Sequence, residues 1–89
     1  MNNDRRKELR KWIKRADAWI SQGEEIKSAL ESIYSEEEEC FENMVEGQKS
    51  GLNGMNSEEA IDAMNEAMEC MDNAIEAAEE AASCVEDII

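Results

Sequence analysis

The sequence predicts an all-α protein, an antiparallel two-helix hairpin of coiled-coil type that pairs with further copies into a homo-oligomeric four-helix bundle. Two observations predict the helices: proline is absent, and apolar side chains recur at alternating spacings of three and four residues over most of the chain. A third observation predicts the turn, because residues 47–56 hold three of the four glycines and interrupt the pattern. The 89 residues suffice for one small domain, which we place at 1–89.

The first helix is predicted at about residues 3–46, where the apolar spacing continues without a slip. Ile13, Ile20, Tyr34 and Phe41 widen the apolar stripe, as is typical of a bundle helix rather than a narrow zipper. Gly23 weakens this helix by about 1 kcal/mol relative to alanine, and a kink at that position is an open alternative. The stripe comprises Leu9, Trp12, Ala16, Trp19, Gly23, Ile26, Leu30, Ile33, Glu37, Cys40 and Met44.

The second helix is predicted at about residues 57–88, after a loop at 47–56. Gly47 suits the left-handed residue that follows a helix C-terminus, and Asn56 with Glu59 resembles a capping box. The apolar stripe of this helix comprises Ile61, Met64, Met68, Met71, Ile75, Ala78, Ala82, Val85 and Ile89.

The second helix also carries alanine and cysteine beside its stripe, which is more apolar surface than one neighbouring helix can cover. A two-helix hairpin of this size cannot enclose a core alone, so we predict a homo-oligomer, a dimer in the first instance. The predicted oligomer interface comprises Leu9, Trp12, Trp19, Ile26, Leu30, Ile33, Phe41, Ile61, Met68, Met71, Ile75, Val85 and Ile89.

The net charge of −14 is unevenly distributed, because residues 1–15 carry +5 and the remainder carries −19. We call the cationic part of the first stretch the basic arm. Three roles are open for this arm. It can pair with acidic residues of its own chain or of another copy, or hold a protein partner. It can also bind nucleic acid or an anionic membrane through residues 5–20. We expect no direct nucleic-acid binding elsewhere, since the rest of the chain repels phosphates. The basic arm comprises Arg5, Arg6, Arg10, Lys11, Lys14 and Arg15.

The acidic side chains form a large negative surface, which is commonly no more than a solvated helix face. The functional alternative is that the carboxylates imitate nucleic-acid phosphates and occupy the basic surface of another protein. The candidate partner-binding residues are Glu36, Glu38, Glu39, Asp62, Glu66, Glu69 and Glu76.

The sequence lacks histidine and several motifs that commonly carry catalytic chemistry. There is no histidine, no glycine-rich phosphate loop and no Cys-x-x-Cys pair among the three cysteines. We therefore predict a non-enzymatic protein with no catalytic residue, cofactor or metal ligand. No apolar run approaches the ~20 residues of a membrane span, and no secretory signal is evident, which predicts a cytoplasmic location.

The stretches EEEECFENM (36–44) and EEAIDAMNEAMECMDNAIEAAEEA (58–81) resemble small acidic helical proteins encoded by phages and prophages of Firmicutes. The similarity covers the C-terminal two thirds, and Val45 stands where the related sequences have proline. The resemblance implies a phage setting, in which small acidic proteins inhibit host enzymes or defence systems. It assigns no role to individual residues.

Together these observations predict an oligomeric interaction protein that binds and inhibits a host protein. Proteins that bind nucleic acid and proteins of host defence are the candidate targets. The first alternative is a structural protein that assembles by contacts between basic and acidic regions. The second is binding of nucleic acid or a membrane through the basic N-terminal helix.

Overall fold

The structure, a computed structural model, describes all 89 residues and is entirely helical apart from short connections. Helix α1 spans Asn3–Glu42, helix α2 spans Glu46–Lys49 and helix α3 spans Leu52–Glu86. The predicted all-α fold and helical hairpin are confirmed. Neither long helix contains an apolar stretch sufficient to cross a lipid bilayer.

Helix α1 begins at a side-chain cap and continues through Gly23 without a break. The side-chain oxygen of Asn2 accepts a hydrogen bond of 2.9 Å from the backbone N–H of Arg5, which satisfies one of the free donors of the first turn. A Cβ atom placed on Gly23 would lie 3.4 Å from Cγ1 of Ile75 on α3. The missing side chain therefore allows the two helices to approach closely, and the helix is unbroken at this position.

The connection between the long helices is more helical than the predicted loop at 47–56. Helix α1 ends at Glu42 rather than 46, residues 46–49 form the single turn α2, and α3 starts at Leu52 rather than near 57. The backbone N–H of Lys49 donates to the Val45 carbonyl at 3.0 Å, and the hydroxyl of Ser50 donates to the Glu46 carbonyl at 3.0 Å. These local hydrogen bonds replace the water contacts that an open loop would need.

No glycine in this connection adopts a left-handed backbone, since no residue of the protein has a positive φ. Gly47 lies inside α2 instead of ending α1, and Asn56 lies inside α3 instead of capping it. Gly54 has a steric role: a Cβ atom at this position would clash with the backbone of Lys49. The absence of a side chain at Gly54 lets the first turn of α3 pack directly on α2.

The chain divides into two compact units, each of which pairs a part of α1 with a part of α3. Unit 1 combines residues 1–26 with 71–89, and unit 2 comprises residues 27–70. In unit 1 the first part of α1 packs against the last part of α3, and Ile13, Ile75 and Ala82 are its buried apolar side chains. The order of the paired segments makes the hairpin antiparallel.

Unit 2 packs the second part of α1 against α2 and the first part of α3. Its interior is formed by half-buried side chains, among them Leu30, Tyr34, Phe41, Met64 and Met68. No large side chain in the protein is fully buried. The interior of the hairpin is therefore thin in both units.

The inward face of α1 differs in part from the predicted stripe. In unit 1, Ile13 and Ile20 turn toward α3, whereas Trp12, Trp19 and Ile26 are exposed. The predicted stripe contained two adjacent rows with the same spacing, and helical periodicity alone cannot select between them. Beside the close contact between Gly23 and Ile75, Ile13 and Ile20 face α3 and the two tryptophans face outward.

The same choice of row is seen within unit 2. Tyr34 and Phe41 are half-buried, while Ile33 and Cys40 are exposed. The inward stripe of α3 follows its prediction, because every member of that stripe is buried or half-buried. The outward row of α1 is therefore the large apolar surface that the hairpin leaves uncovered.

Candidate interaction surfaces

The first candidate surface is a groove in unit 1, which we call the tryptophan groove. It has a volume of about 430 Å³ and is open to solvent. Trp12 and Trp19 remain 41% and 53% exposed, although both line it. The complete lining is Trp12, Arg15, Ala16, Trp19, Ala78 and Ala81.

The spacing of these residues along their helices produces the groove. Trp12 and Trp19 are seven residues apart, so they project from the same side of α1 two turns from each other. The small side chains of Ala16, Ala78 and Ala81 lie beside them and form the recess. Ile26 continues the tryptophan row and is 54% exposed.

The residues predicted for the oligomer interface fall into two groups. Trp12, Trp19, Ile26 and Ile33 are exposed and available to another molecule. The other predicted interface residues are buried or half-buried by the chain itself, and these are Leu9, Leu30, Phe41, Ile61, Met68, Met71, Ile75, Val85 and Ile89. The structure thus separates the residues that hold the hairpin together from those that its fold leaves free.

The basic arm lies in unit 1 beside the tryptophan groove. All its members are exposed except Arg6, which is half-buried, and none of them forms a salt bridge with a carboxylate of the acidic C-terminal part of the chain. Arg15 joins the arm to the groove. A second cavity of about 470 Å³ lies next to it, lined by Met1, Arg5, Glu8, Leu9, Lys11, Trp12 and Arg15.

The second candidate surface is a cavity in unit 2, which we call the acidic cavity. It has a volume of about 530 Å³ and brings carboxylates of α1 and α3 to the same place. Phe41 and Ile61 supply its apolar part. The complete lining is Glu38, Phe41, Glu42, Glu58, Ile61 and Asp62.

The carboxylates of unit 2 greatly outnumber its cations. Residues 27–70 contain twelve acidic and two basic side chains, a net charge of −10. Lys27 lies 3.5 Å from a carboxylate oxygen of Glu31, and Lys49 lies 5.5 Å from the centre of the Phe41 ring. No group of three or more carboxylate or thiol side chains in the protein is arranged to hold a metal ion. The carboxylates of the acidic cavity therefore distribute negative charge over its surface and do not converge on one position that could hold a cation.

Tyr34 lies next to these carboxylates in unit 2. Its hydroxyl interacts with the carboxylate of Glu38 on the same helix and with the amide of Asn65 on α3. The hydrogen bond to Glu38 raises the pKa of Tyr34, because the negative carboxylate holds the phenolic proton and disfavours the phenolate. Asn65 opposes this shift, while the nearby charge of Asp62 adds to it.

The predicted partner-binding acids are only partly gathered into one place. Glu38 and Asp62 line the acidic cavity, whereas the other predicted acids of unit 2 lie outside it and Glu76 belongs to unit 1. Glu42 and Glu58 also line the cavity, and neither was among the predicted acids. Their signal was the spacing of four residues from Glu38 to Glu42 and from Glu58 to Asp62, which places each pair on one helix face. The predicted acids outside the cavity are Glu36, Glu39, Glu66, Glu69 and Glu76.

The fold and these two surfaces define the class of the protein as an all-α helical hairpin with one apolar and one acidic surface. A scan against protein-family models finds no match, and searches of curated proteins and of solved structures find no similar protein.

Proposed function

We propose that this protein is a non-enzymatic, homo-oligomeric interaction protein that binds a host protein and inhibits it by covering a basic surface. The observation that carries the proposal is the acidic cavity, where four carboxylates from two helices surround Phe41 and Ile61. Two lysines against twelve acids leave unit 2 with a strong negative potential. Such a potential attracts a positively charged partner over long range and excludes anionic ones.

The chemistry of the cavity indicates what the partner offers. Carboxylates at the rim favour arginine or lysine side chains, since charge-assisted hydrogen bonds to arginine are strong and bidentate. The apolar wall of Phe41 and Ile61 favours an aliphatic or aromatic side chain between those cations. A basic amphipathic segment, as found on proteins that bind nucleic acid, satisfies both requirements. The phage setting and the cytoplasmic location predicted from the sequence belong to the same proposal.

The proposal is tested by affinity capture from a lysate of a Firmicutes bacterium, with charge reversal inside and outside the cavity. The test variant combines Glu42→Lys and Asp62→Lys, and the control combines Glu24→Lys and Glu25→Lys on exposed positions of unit 1. Both variants change the net charge equally. We expect the test variant to lose the captured protein and the control to retain it.

The captured protein is then purified and its binding is measured directly with the same variants. Each reversed carboxylate in a close charge pair is expected to weaken binding at least ~10-fold, the effect of ~1.4 kcal/mol. Equal losses in both variants would mean that only overall charge matters, and the cavity would no longer be the site. Capture of nothing by the unaltered protein would reject the proposed function itself.

A further inference from the structure

We infer that the tryptophan groove of unit 1 is the interface with a second copy of this chain, packed face to face about a two-fold axis. This inference rests on the oligomeric part of the proposed function and names its surface. It does not depend on the acidic cavity or on any host protein.

The groove has the shape that a symmetric interface requires. In a two-fold dimer the same patch meets itself, so it must carry both a projection and a recess that accepts it. The exposed indole of Trp19 is the projection, and the small side chains of Ala16, Ala78 and Ala81 form the recess. A volume of about 430 Å³ is sufficient to receive a large aromatic side chain. Each copy thereby inserts its indole into the groove of the other.

The exposed area of the chain matches what such an interface needs. The accessible surface is 6655 Å², whereas a folded monomer of this mass has about 5,300 Å². The open hairpin therefore exposes over ~1,000 Å² more than a compact chain of this mass. Each partner in an ordinary stable interface buries ~800 Å². Trp12, Trp19 and Ile26 contribute exposed apolar surface of the kind found at the centre of such interfaces.

The charge distribution favours a second copy of the chain as the molecule that binds the groove, with unit 1 of each copy in contact. Residues 1–15 carry +5 and residues 71–89 carry −6, both within unit 1. When α1 of one copy packs on α3 of the other, a cationic segment meets an anionic segment twice. In this dimer each of the two facing units 1 has a net charge of −4. If unit 2 formed the interface, each of the facing units would have a net charge of −10. The cations of the basic arm are also free of salt bridges within the chain.

Sedimentation of the purified full-length protein tests the inference, with Trp19→Glu as the test variant and Ala18→Glu as its control. Ala18 is exposed on the same helix and is not part of the groove. We expect the unaltered protein and the control to sediment at twice the chain mass of 10.1 kDa at micromolar concentration. The test variant should dissociate at least ~30-fold more readily, as expected when a central hot-spot residue is lost.

Tryptophan fluorescence provides a second measurement, because both tryptophans of the protein line the groove. Their emission should move to shorter wavelength as the concentration rises. If Trp19→Glu fails to fold, the unaltered protein decides the question: its thermal midpoint must rise with concentration, as it does for any protein stabilised by self-association.

The inference would be overturned if the protein were a monomer whose emission and thermal midpoint do not change with concentration. It would also be overturned if the protein were a dimer whose dissociation Trp19→Glu does not change. Retention of that monomer on single-stranded DNA or on anionic vesicles would reassign the groove to phosphate ligands. The combined Glu42→Lys and Asp62→Lys variant should still dimerise. Failure of the host-capture experiment and failure of this one are therefore distinguishable.

Discussion

At the scale of single residues, Tyr34 reports most directly on the acidic side of unit 2. It is the only tyrosine of the chain, so its ionisation can be followed by ultraviolet absorbance without interference from another phenol. We expect its titration midpoint to lie above the ordinary value of ~10, because the Glu38 carboxylate raises the pKa of Tyr34. Replacing Glu38 with glutamine should lower the midpoint toward the ordinary value.

Glu37→Gln is the matched control, since Glu37 is also half-buried on α1 but does not perturb Tyr34. The raised pKa in the folded state also has a consequence for stability. Its stabilising contribution is fully present below the ordinary pKa of tyrosine and is lost as the pH rises through the folded-state pKa. Identical midpoints in both variants would show that the Glu38 carboxylate does not hold the phenolic proton.

At the scale of helices, the corner between α2 and α3 depends on Gly54. A methyl group at this position would clash with the backbone of Lys49, which cannot move as a flexible side chain can. We expect Gly54→Ala to destabilise the protein by roughly 1–3 kcal/mol, the usual cost of overpacking. The effect opposes helix propensity, which alone would favour alanine by about 1 kcal/mol.

Gly47→Ala is the natural control for that measurement, because nothing lies within 4 Å of a Cβ atom at Gly47. It should leave stability unchanged or raise it by up to about 1 kcal/mol. Urea unfolding followed by circular dichroism measures both variants. If the two substitutions had the same effect, close packing of α3 on α2 would not be the reason for glycine at position 54.

The helices themselves could be predicted from the sequence, and the inward face of α3 with them. From Ile61 to Ile89 only one row of large apolar side chains follows the helical spacing, so the periodicity identified the buried face without ambiguity. Helix α1 offered two neighbouring rows of equal spacing, and the structure turns Ile20 inward and Trp19 outward beside the close approach of Gly23 to Ile75. Tertiary packing made that choice, and no local pattern contains it.

The sequence could indicate only some of the carboxylates that line the acidic cavity. Glu38 and Asp62 were predicted as partner-binding residues, but their neighbours Glu42 and Glu58 were not. The alignment of α1 with α3 decides which carboxylates share a cavity, and that alignment depends on how the connection folds. The additional turn α2 and the early start of α3 at Leu52 could not be read from glycine content, since glycine there serves close packing rather than a left-handed turn.

At the scale of the whole molecule, the dominant property is the net charge of −14 on a chain with a thin interior. Both helix ends at the open side of the hairpin are charged against the helix dipole, with a basic start to α1 and an acidic end to α3. Repulsion among carboxylates therefore opposes folding, and dissolved salt should weaken that repulsion.

We expect the thermal midpoint of the isolated hairpin to rise with sodium chloride concentration. The Trp19→Glu variant is the right material, because salt would also weaken the charge attraction proposed between two copies. A rise of roughly 4–8 °C corresponds to relief of ~1 kcal/mol of repulsion in a domain of this size. The Glu42→Lys and Asp62→Lys changes, added to that variant, should reduce the slope because they remove negative charge from unit 2. A midpoint that falls with salt would mean that attraction between the basic arm and the acidic residues outweighs the repulsion, even though the arm forms no salt bridge within the chain.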